Sequence, residues 1–399
     1  MQNHQMPRSS GTSGAVGSGA RTSFAVAVVT ALAALTACND DSPVQPKAHV
    51  PDGGPESISA VINILPTGAV FPAKIAAVTG SAVGTPAKVQ VYDKAGNLMA
   101  QFMAFSQTED FKAGVNVALG DVNKDGYPDI IAGEGPTAGA PNPSMYAVWD
   151  GKTGVMIGSG SPYWNNFRGG VRVGAGDFDG DGADEVFACL GPGGYATGAY
   201  VYKVGKSYPY MQFSTQLGYA NGTGTGWRTS GCRIAGGDIN GDGKDDVIAT
   251  FDGTSNALLI ADAATRTIQA WDSPYGIGYK GEMSVASGDA NGDGKAEVML
   301  GQITSYSGSP QVLVYDGAKI SLQAFLPIPA LVKPINWWWA TGLTLASRDF
   351  DDDGRADLLV KPTNGFGSSS FGVWMAPSFA TYTLWKTESA VTGNGGPIG

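Results

Sequence analysis

The segment Asp177-Phe178-Asp179-Gly180-Asp181-Gly182-Ala183-Asp184-Glu185 constrains this chain more than any other, because it recurs. Four further copies begin at Asp121, Asp238, Asp289 and Asp349, so the starts lie 56, 61, 51 and 60 residues apart. Oxygen-bearing side chains fall at loop positions 1, 3, 5 and 9: Asp121, Asn123, Asp125 and Asp129; Asp177, Asp179, Asp181 and Glu185; Asp238, Asn240, Asp242 and Asp246; Asp289, Asn291, Asp293 and Glu297; Asp349, Asp351, Asp353 and Asp357. A glycine at position 6 permits the sharp turn that brings them together. Position 7 offers a backbone carbonyl, from Tyr127, Ala183, Lys244, Lys295 and Arg355. Such a donor set suits one hard divalent cation, Ca²⁺ above all, which takes six to eight oxygens at ~2.3–2.6 Å. The expectation is about five structural Ca²⁺ ions. Five copies at a near-constant period also mark a repeat protein.

These loops are not EF-hands. An EF-hand needs an acidic residue at position 12 and flanking helices. Position 12 here is Ala132, Ala188, Ala249, Leu300 and Val360. The flanks are β-rich: 115–119, 171–175 and 343–346 precede loops, and 129–132, 185–188, 246–249 and 357–360 follow them. Short runs of this kind around a tight loop predict hairpins, with position 9 opening the second strand.

On these residues the chain resembles the FG-GAP (VCBS-type) repeats of integrin-α-like β-propellers, over roughly residues 57–388. Gly-rich segments after the loops, such as 133–136 and 190–194, fit the resemblance. It implies an all-β propeller with Ca²⁺ between strands 1 and 2 of each blade, and it implies no single function. A third-strand phrase occurs six times, at 89–93, 146–150, 199–202, 257–262, 312–316 and 371–374. Six four-stranded blades are therefore expected, with seven as the alternative. The first blade is degenerate: its strand 1 is 57–64, and 66–72 replaces the metal loop without an acidic residue.

The remaining segments are expected to lie outside the propeller. Residues 1–37 read as a lipoprotein signal peptide, with Arg8 and Arg21 before an apolar run over 24–35. It ends in Leu35-Thr36-Ala37-Cys38, a lipobox that makes Cys38 the lipidation site; ordinary cleavage nearby is the alternative. Residues 38–56 form a Pro/Gly-rich flexible tether and 389–399 a disordered tail. The expected location is the bacterial cell envelope, lipid-anchored at the outer membrane or cell surface, or else secreted. Cys189 and Cys232 can pair there or stand as separate buried residues.

Formal charge is −10, and 17 of the 35 acidic residues sit at the loop positions. The acidity is thus metal-site charge, and the lack of any basic stripe excludes nucleic acid as a partner. The two histidines, His4 and His49, lie in the leader and tether, so the folded part has none for acid–base chemistry. No nucleophile elbow, P-loop or zincin motif occurs. Glu109, Asp110, Glu134 and Glu282 are acidic residues outside the loops, read as solvated charges. The long loops opposite the metal face carry aromatics with basic neighbours: Tyr163, Trp164, Arg168, Trp227, Arg228, Tyr275, Tyr279, Lys280, Trp337, Trp338 and Trp339. They suit stacking on sugars or a protein hot spot. The expected function is a non-catalytic, tethered binding or adhesion module for glycan or cell-surface protein. A propeller-type polysaccharide lyase and a purely structural envelope component are the alternatives.

Overall fold

Apolar runs of four to seven residues between Gly-rich turns are too short for helices and bury well as strands. The computed structural model describes residues 71 and 73–387, apart from 106–111, 138–143, 163–166, 192–198, 207–208, 210, 213–230, 252–256, 277, 304–309, 318–320, 328–341, 364–369 and 380–381. Every regular element among them is a strand, and the strands form six antiparallel sheets. Blade 1 contains β1 (Ala77–Gly80), β2 (Lys88–Tyr92) and β3 (Leu98–Met103). Blade 2 contains β4 (Val115–Gly120), β5 (Asp129–Glu134), β6 (Tyr146–Trp149) and β7 (Met156–Gly160). Blade 3 contains β8 (Val171–Gly176), β9 (Glu185–Leu190), β10 (Ala199–Tyr202) and β11 (Met211–Gln212). Blade 4 contains β12 (Cys232–Gly237), β13 (Asp246–Phe251), β14 (Ala257–Asp262) and β15 (Thr267–Asp272). Blade 5 contains β16 (Met283–Gly288), β17 (Glu297–Gln302), β18 (Gln311–Asp316) and β19 (Ser321–Pro327). Blade 6 contains β20 (Gly342–Arg348), β21 (Asp357–Thr363), β22 (Ser370–Trp374) and β23 (Tyr382–Thr387).

The described strands of blade 1 correspond to strands 2 to 4 of the repeat. Its expected first strand, residues 57–64, lies outside the described residues, as do the signal peptide, Cys38, the tether and the 389–399 tail.

The core lies between the blades, where the second strands bury both faces almost throughout. Blades 1 and 2 meet through Val89 and Val91 against Val117, Ile130 and Trp149. Ile131 and Val148 of blade 2 meet Val173 and Val186 of blade 3. Phe178 and Phe187 meet Val247 and Leu259 across blades 3 and 4. Ile248 and Ile260 meet Val298 and Leu313 across blades 4 and 5. Met299 and Val314 meet Leu358 and Trp374 across blades 5 and 6. Phe350, Leu359 and Val373 of blade 6 then pack on Ala76 and Ala77 of blade 1. Six clusters joining six sheets in sequence close a ring, and closure leaves no long unprotected edge. The fold is a six-bladed propeller.

One disulfide, Cys189–Cys232, crosses from β9 to β12 and so joins blades 3 and 4. Of the two sequence-level possibilities for these cysteines, the structure takes the bridge. The innermost strands line a central cavity of about 540 Å³, walled largely by small residues such as Ala118, Ala175, Ala235 and Ala286.

Candidate metal centre

Each nine-residue loop connects the first and second strands of its blade, and the turn between strands 3 and 4 lies beside it. In blade 2 the Gly151 N–H donates to Asp129 Oδ1 at 2.8 Å, and Asn123 Nδ2 donates to Asp150 Oδ2 at 3.2 Å. The backbone wraps the carboxylates the same way in all five copies. The position 1 Asp accepts the position 6 Gly N–H, at 2.8 Å in four loops and 2.9 Å at Asp349. The position 5 Asp accepts the position 7 N–H, at 2.9–3.0 Å. Gly126, Gly182, Gly243, Gly294 and Gly354 have φ between +83° and +88°, the left-handed region where a side chain is strained. Position 4 is left-handed as well, including the non-glycine residues Lys124 and Asp352.

Position 9 carries the most informative side chain. Asp129, Glu185, Asp246, Glu297 and Asp357 are all buried, none more than 2% exposed. Their oxygens point back into the loop: the position 2 N–H of Val122, Phe178, Ala290 and Phe350 donates to four of them at 2.8–3.0 Å. Burial pushes all five carboxyls up, Asp129, Glu185 and Asp246 to about 7, against the lowering effect of backbone donors. Desolvation disfavours the charged form, and a bound cation would reverse that balance.

The residues present fit a hard cation. Asn240 Oδ1, at position 3 of its loop, is buried with no hydrogen-bond partner among the described residues. Asp246 Oδ2, at position 9 of the same loop, is likewise buried without a partner among the described residues, and two orphaned oxygens in one loop are what a bound cation would satisfy. Asp349, Asp351 and Asp353 bring carboxylate oxygens within 4.8 Å of one another, and so do Asp177, Asp179 and Glu185. In the blade 5 loop, Asn291 Nδ2 donates to Glu297 Oε1 at 2.6 Å; a half-turn of that amide presents its oxygen to the same centre. A cation bound here would neutralise three or four converging carboxylates, while the side chains at positions 1, 3, 5 and 9 and the position 7 carbonyl would hold it.

The loops are also linked to one another. The position 8 N–H donates to the position 1 carbonyl of the preceding loop: Asp184 to Asp121, Asp245 to Asp177, Ala296 to Asp238 and Ala356 to Asp289, at 2.8–2.9 Å. Asp184 Oδ2 and Asp245 Oδ2 return the contact by accepting the N–H of Asp121 and Asp177, at 2.8 and 3.0 Å. Burial pushes these two carboxyls up, to about 6 and about 7. Lys244, Lys295 and Arg355 at position 7 lie over Gly180, Gly241 and Gly292 of the loop before. Lys94 closes the circle at 2.6 Å from Asp352. Sequence reading missed the position 8 residues, although Asp184 and Asp245 stand in plain view beside the ligands.

The opposite face is described only in part. Tyr163, Trp164, Trp227, Arg228 and Trp337 to Trp339 lie outside the described residues, as do Glu109 and Asp110. Tyr279 is buried, its hydroxyl donating to the Glu282 carbonyl at 2.8 Å, and its ring lies 5.1 Å from that of Tyr275. The Tyr275 hydroxyl reaches the carbonyls of Leu300 and Gln311. Tyr275 thus ties the connection between blades 4 and 5 to blade 5, and Tyr279 is buried within that connection rather than presented to a ligand. Arg168 donates to the Phe167 carbonyl at 3.2 Å and lowers the carboxyl of nearby Glu134. Glu134 is not a solvated charge: it is buried, and burial pushes it up to about 8 against the Met145 N–H and Arg168. Glu282 keeps 37% of its side chain exposed but is ion-paired, and Arg233 and Arg172 hold its carboxyl below the usual range against partial desolvation, with Arg172 Nη2 at 3.5 Å.

Strand–loop–strand repeats with this spacing, arranged as six blades, define a β-propeller. Residues 113–142 match the FG-GAP repeat, and residues 214–300 match the FG-GAP-like repeat. These two segments therefore carry repeats of the FG-GAP type. No curated protein matches it. Among solved structures it is similar to a mutant of AofleA from Arthrobotrys oligospora (12% identity, TM-score 0.47), the match covering 83% of this chain and 90% of that one. It is similar to Aleuria aurantia lectin, described as a six-bladed β-propeller (16% identity, TM-score 0.42, covering 82% and 100%). It is similar too to a Bacillus licheniformis rhamnogalacturonan lyase (14% identity, TM-score 0.36), covering 77% of this chain and 66%, just under two thirds, of the lyase.

Proposed function

We propose that the protein is an exported propeller, held at the bacterial envelope by a lipid on Cys38 and braced by Ca²⁺ in its strand 1–2 loops. It acts as a non-catalytic binding module for a glycan or a cell-surface protein. The observation that carries the cation reading is the set of five buried position 9 carboxylates facing convergent oxygens. Buried carboxylates without a compensating cation are costly, and binding to the folded state adds stability by mass action. The Cys189–Cys232 bridge supports an oxidising compartment. The aromatic-rich long loops supply the binding face, since variable loops on a rigid scaffold are where partners dock.

A binding role is preferred to lyase activity because the acidic groups described on the long-loop side serve the scaffold. Glu282 is ion-paired to two arginines and Glu134 is buried. The mature chain in Ca²⁺ should bind a discrete subset of an immobilised glycan panel, or one protein of the envelope, without changing it. Release of unsaturated products from a uronate polysaccharide, absent from a boiled control, would establish the lyase alternative instead.

A further inference from the structure

The five loops are alike in sequence, but one differs in what faces it. Across the second and third strands, position 9 sits opposite the residue that ends strand 3. The Glu297–Asp316 pairing shows this directly, and one step beyond the paired residues of the other ladders the same place is held by Asp150, Lys203, Asp262 and Met375. Three blades thus present an aspartate there, blade 6 a methionine and blade 3 a lysine. The blade 3 loop is also one of two with aspartate rather than asparagine at position 3.

Lys203 does not lie alongside this loop; it enters it. Its Nζ is 2.6 Å from Asp179 Oδ2, 2.6 Å from Asp181 Oδ2 and 3.3 Å from Glu185 Oε1. Those are the oxygens of positions 3, 5 and 9. An ammonium has three donors, and here three carboxylates receive it. By contrast, Lys152 in blade 2 forms an ion pair with one carboxylate, Asp125, at 3.8 Å. Ca²⁺ would need the same oxygens at ~2.3–2.6 Å, so ion and ammonium compete for one position.

We propose that Lys203 is the resident cation of the blade 3 loop, so that this loop excludes Ca²⁺ and its hairpin is closed by a covalently tethered charge. The inference rests on the cation reading of the other four loops. It makes the blades unequal: blade 3, which also carries the disulfide to blade 4, stays closed when Ca²⁺ is scarce, and blades 2, 4, 5 and 6 depend on the ion. The tether gives the ammonium a high effective concentration, which a free ion must outcompete.

The test is the number of Ca²⁺ ions retained per chain after equilibrium dialysis, by elemental mass spectrometry. It compares the wild-type mature chain with Lys203→Asp, which installs the residue found in three other blades. Four ions in the wild type and five in Lys203→Asp is the expected result. Equal counts of five overturn the inference and leave the cation reading intact, whereas no ions in either protein overturn both. Lys203→Met gives a second readout that does not need the aspartate to fold correctly. Its melting temperature should fall further on chelation than that of the wild type, and an equal fall would contradict the proposal.

Discussion

The position 9 carboxylates serve two purposes that pull in opposite directions. Each bonds the loop to strand 2, and each is buried where its charge is disfavoured. Asp129→Asn separates the two. In chelator at pH above 8 the amide removes a buried charge, but its nitrogen cannot accept one of the two N–H groups that Asp129 serves, so the opposing effects should leave a change within about 1 kcal/mol. In Ca²⁺ the same change also removes a charged ligand and should destabilise by roughly 1–3 kcal/mol more. Paired thermal melts would show the larger loss in Ca²⁺; an equal loss in both buffers would mean that no ion uses Asp129. Glu134 tests pH away from the loops. Its folded value, about 8, lies above the unfolded one, so burial imposes no penalty at low pH and a full penalty once the group ionises in the fold. Wild-type stability relative to Glu134→Gln should therefore decline between about pH 4.5 and 8, on the order of 3–5 kcal/mol. Urea titrations at pH 5 and pH 8.5 would measure it. At this scale the common geometry of the acidic loops was legible because local spacing alone sets it. The roles of Asp184, Asp245, Lys203, Glu282 and Tyr279 were not, because each depends on contact with a neighbouring blade or strand.

At the scale of elements, hairpins were readable because a tight loop with fixed turn residues must join adjacent antiparallel strands. The third-strand phrase at 257–262 coincides with β14, and 199–202 coincides with β10. The turn geometry gives a clean test at Gly243, where φ is +84° and an added Cβ meets nothing within 4 Å. Gly243→Ala should cost about 1–2 kcal/mol through backbone conformation alone, since the left-handed region is unfavourable for L-residues. A loss below a few tenths in chemical denaturation would show that the loop relaxes. The Cys189–Cys232 bridge was not readable, because pairing across 43 residues depends on how blades 3 and 4 abut. Replacing both cysteines with alanine should lower stability by about 2–4 kcal/mol, measured under non-reducing conditions.

The whole molecule is a ring, and rings fail as units. Blade number followed from counting a phrase that occurs six times, and the six inter-blade clusters match that count. Closure itself could not be read from sequence, because the contact of Ala76 and Ala77 with Leu359 joins the two ends of the propeller. Leu359→Ala removes buried side chain at that seam and should cost about 2–5 kcal/mol while keeping a single unfolding transition. The acidic loops lie on one face of this ring and are linked by the position 8 to position 1 hydrogen bonds, so a cation bound in them would brace the ring as a whole. The most direct measurement is thermal unfolding of residues 39–399 in Ca²⁺ and then in excess chelator, with the bound ions counted. A large drop in melting temperature on chelation, with at least four ions per chain before it, is the expected result. An unchanged melting temperature, or a protein that retains no ion, would mean that the loops are acidic turns held by their backbone alone.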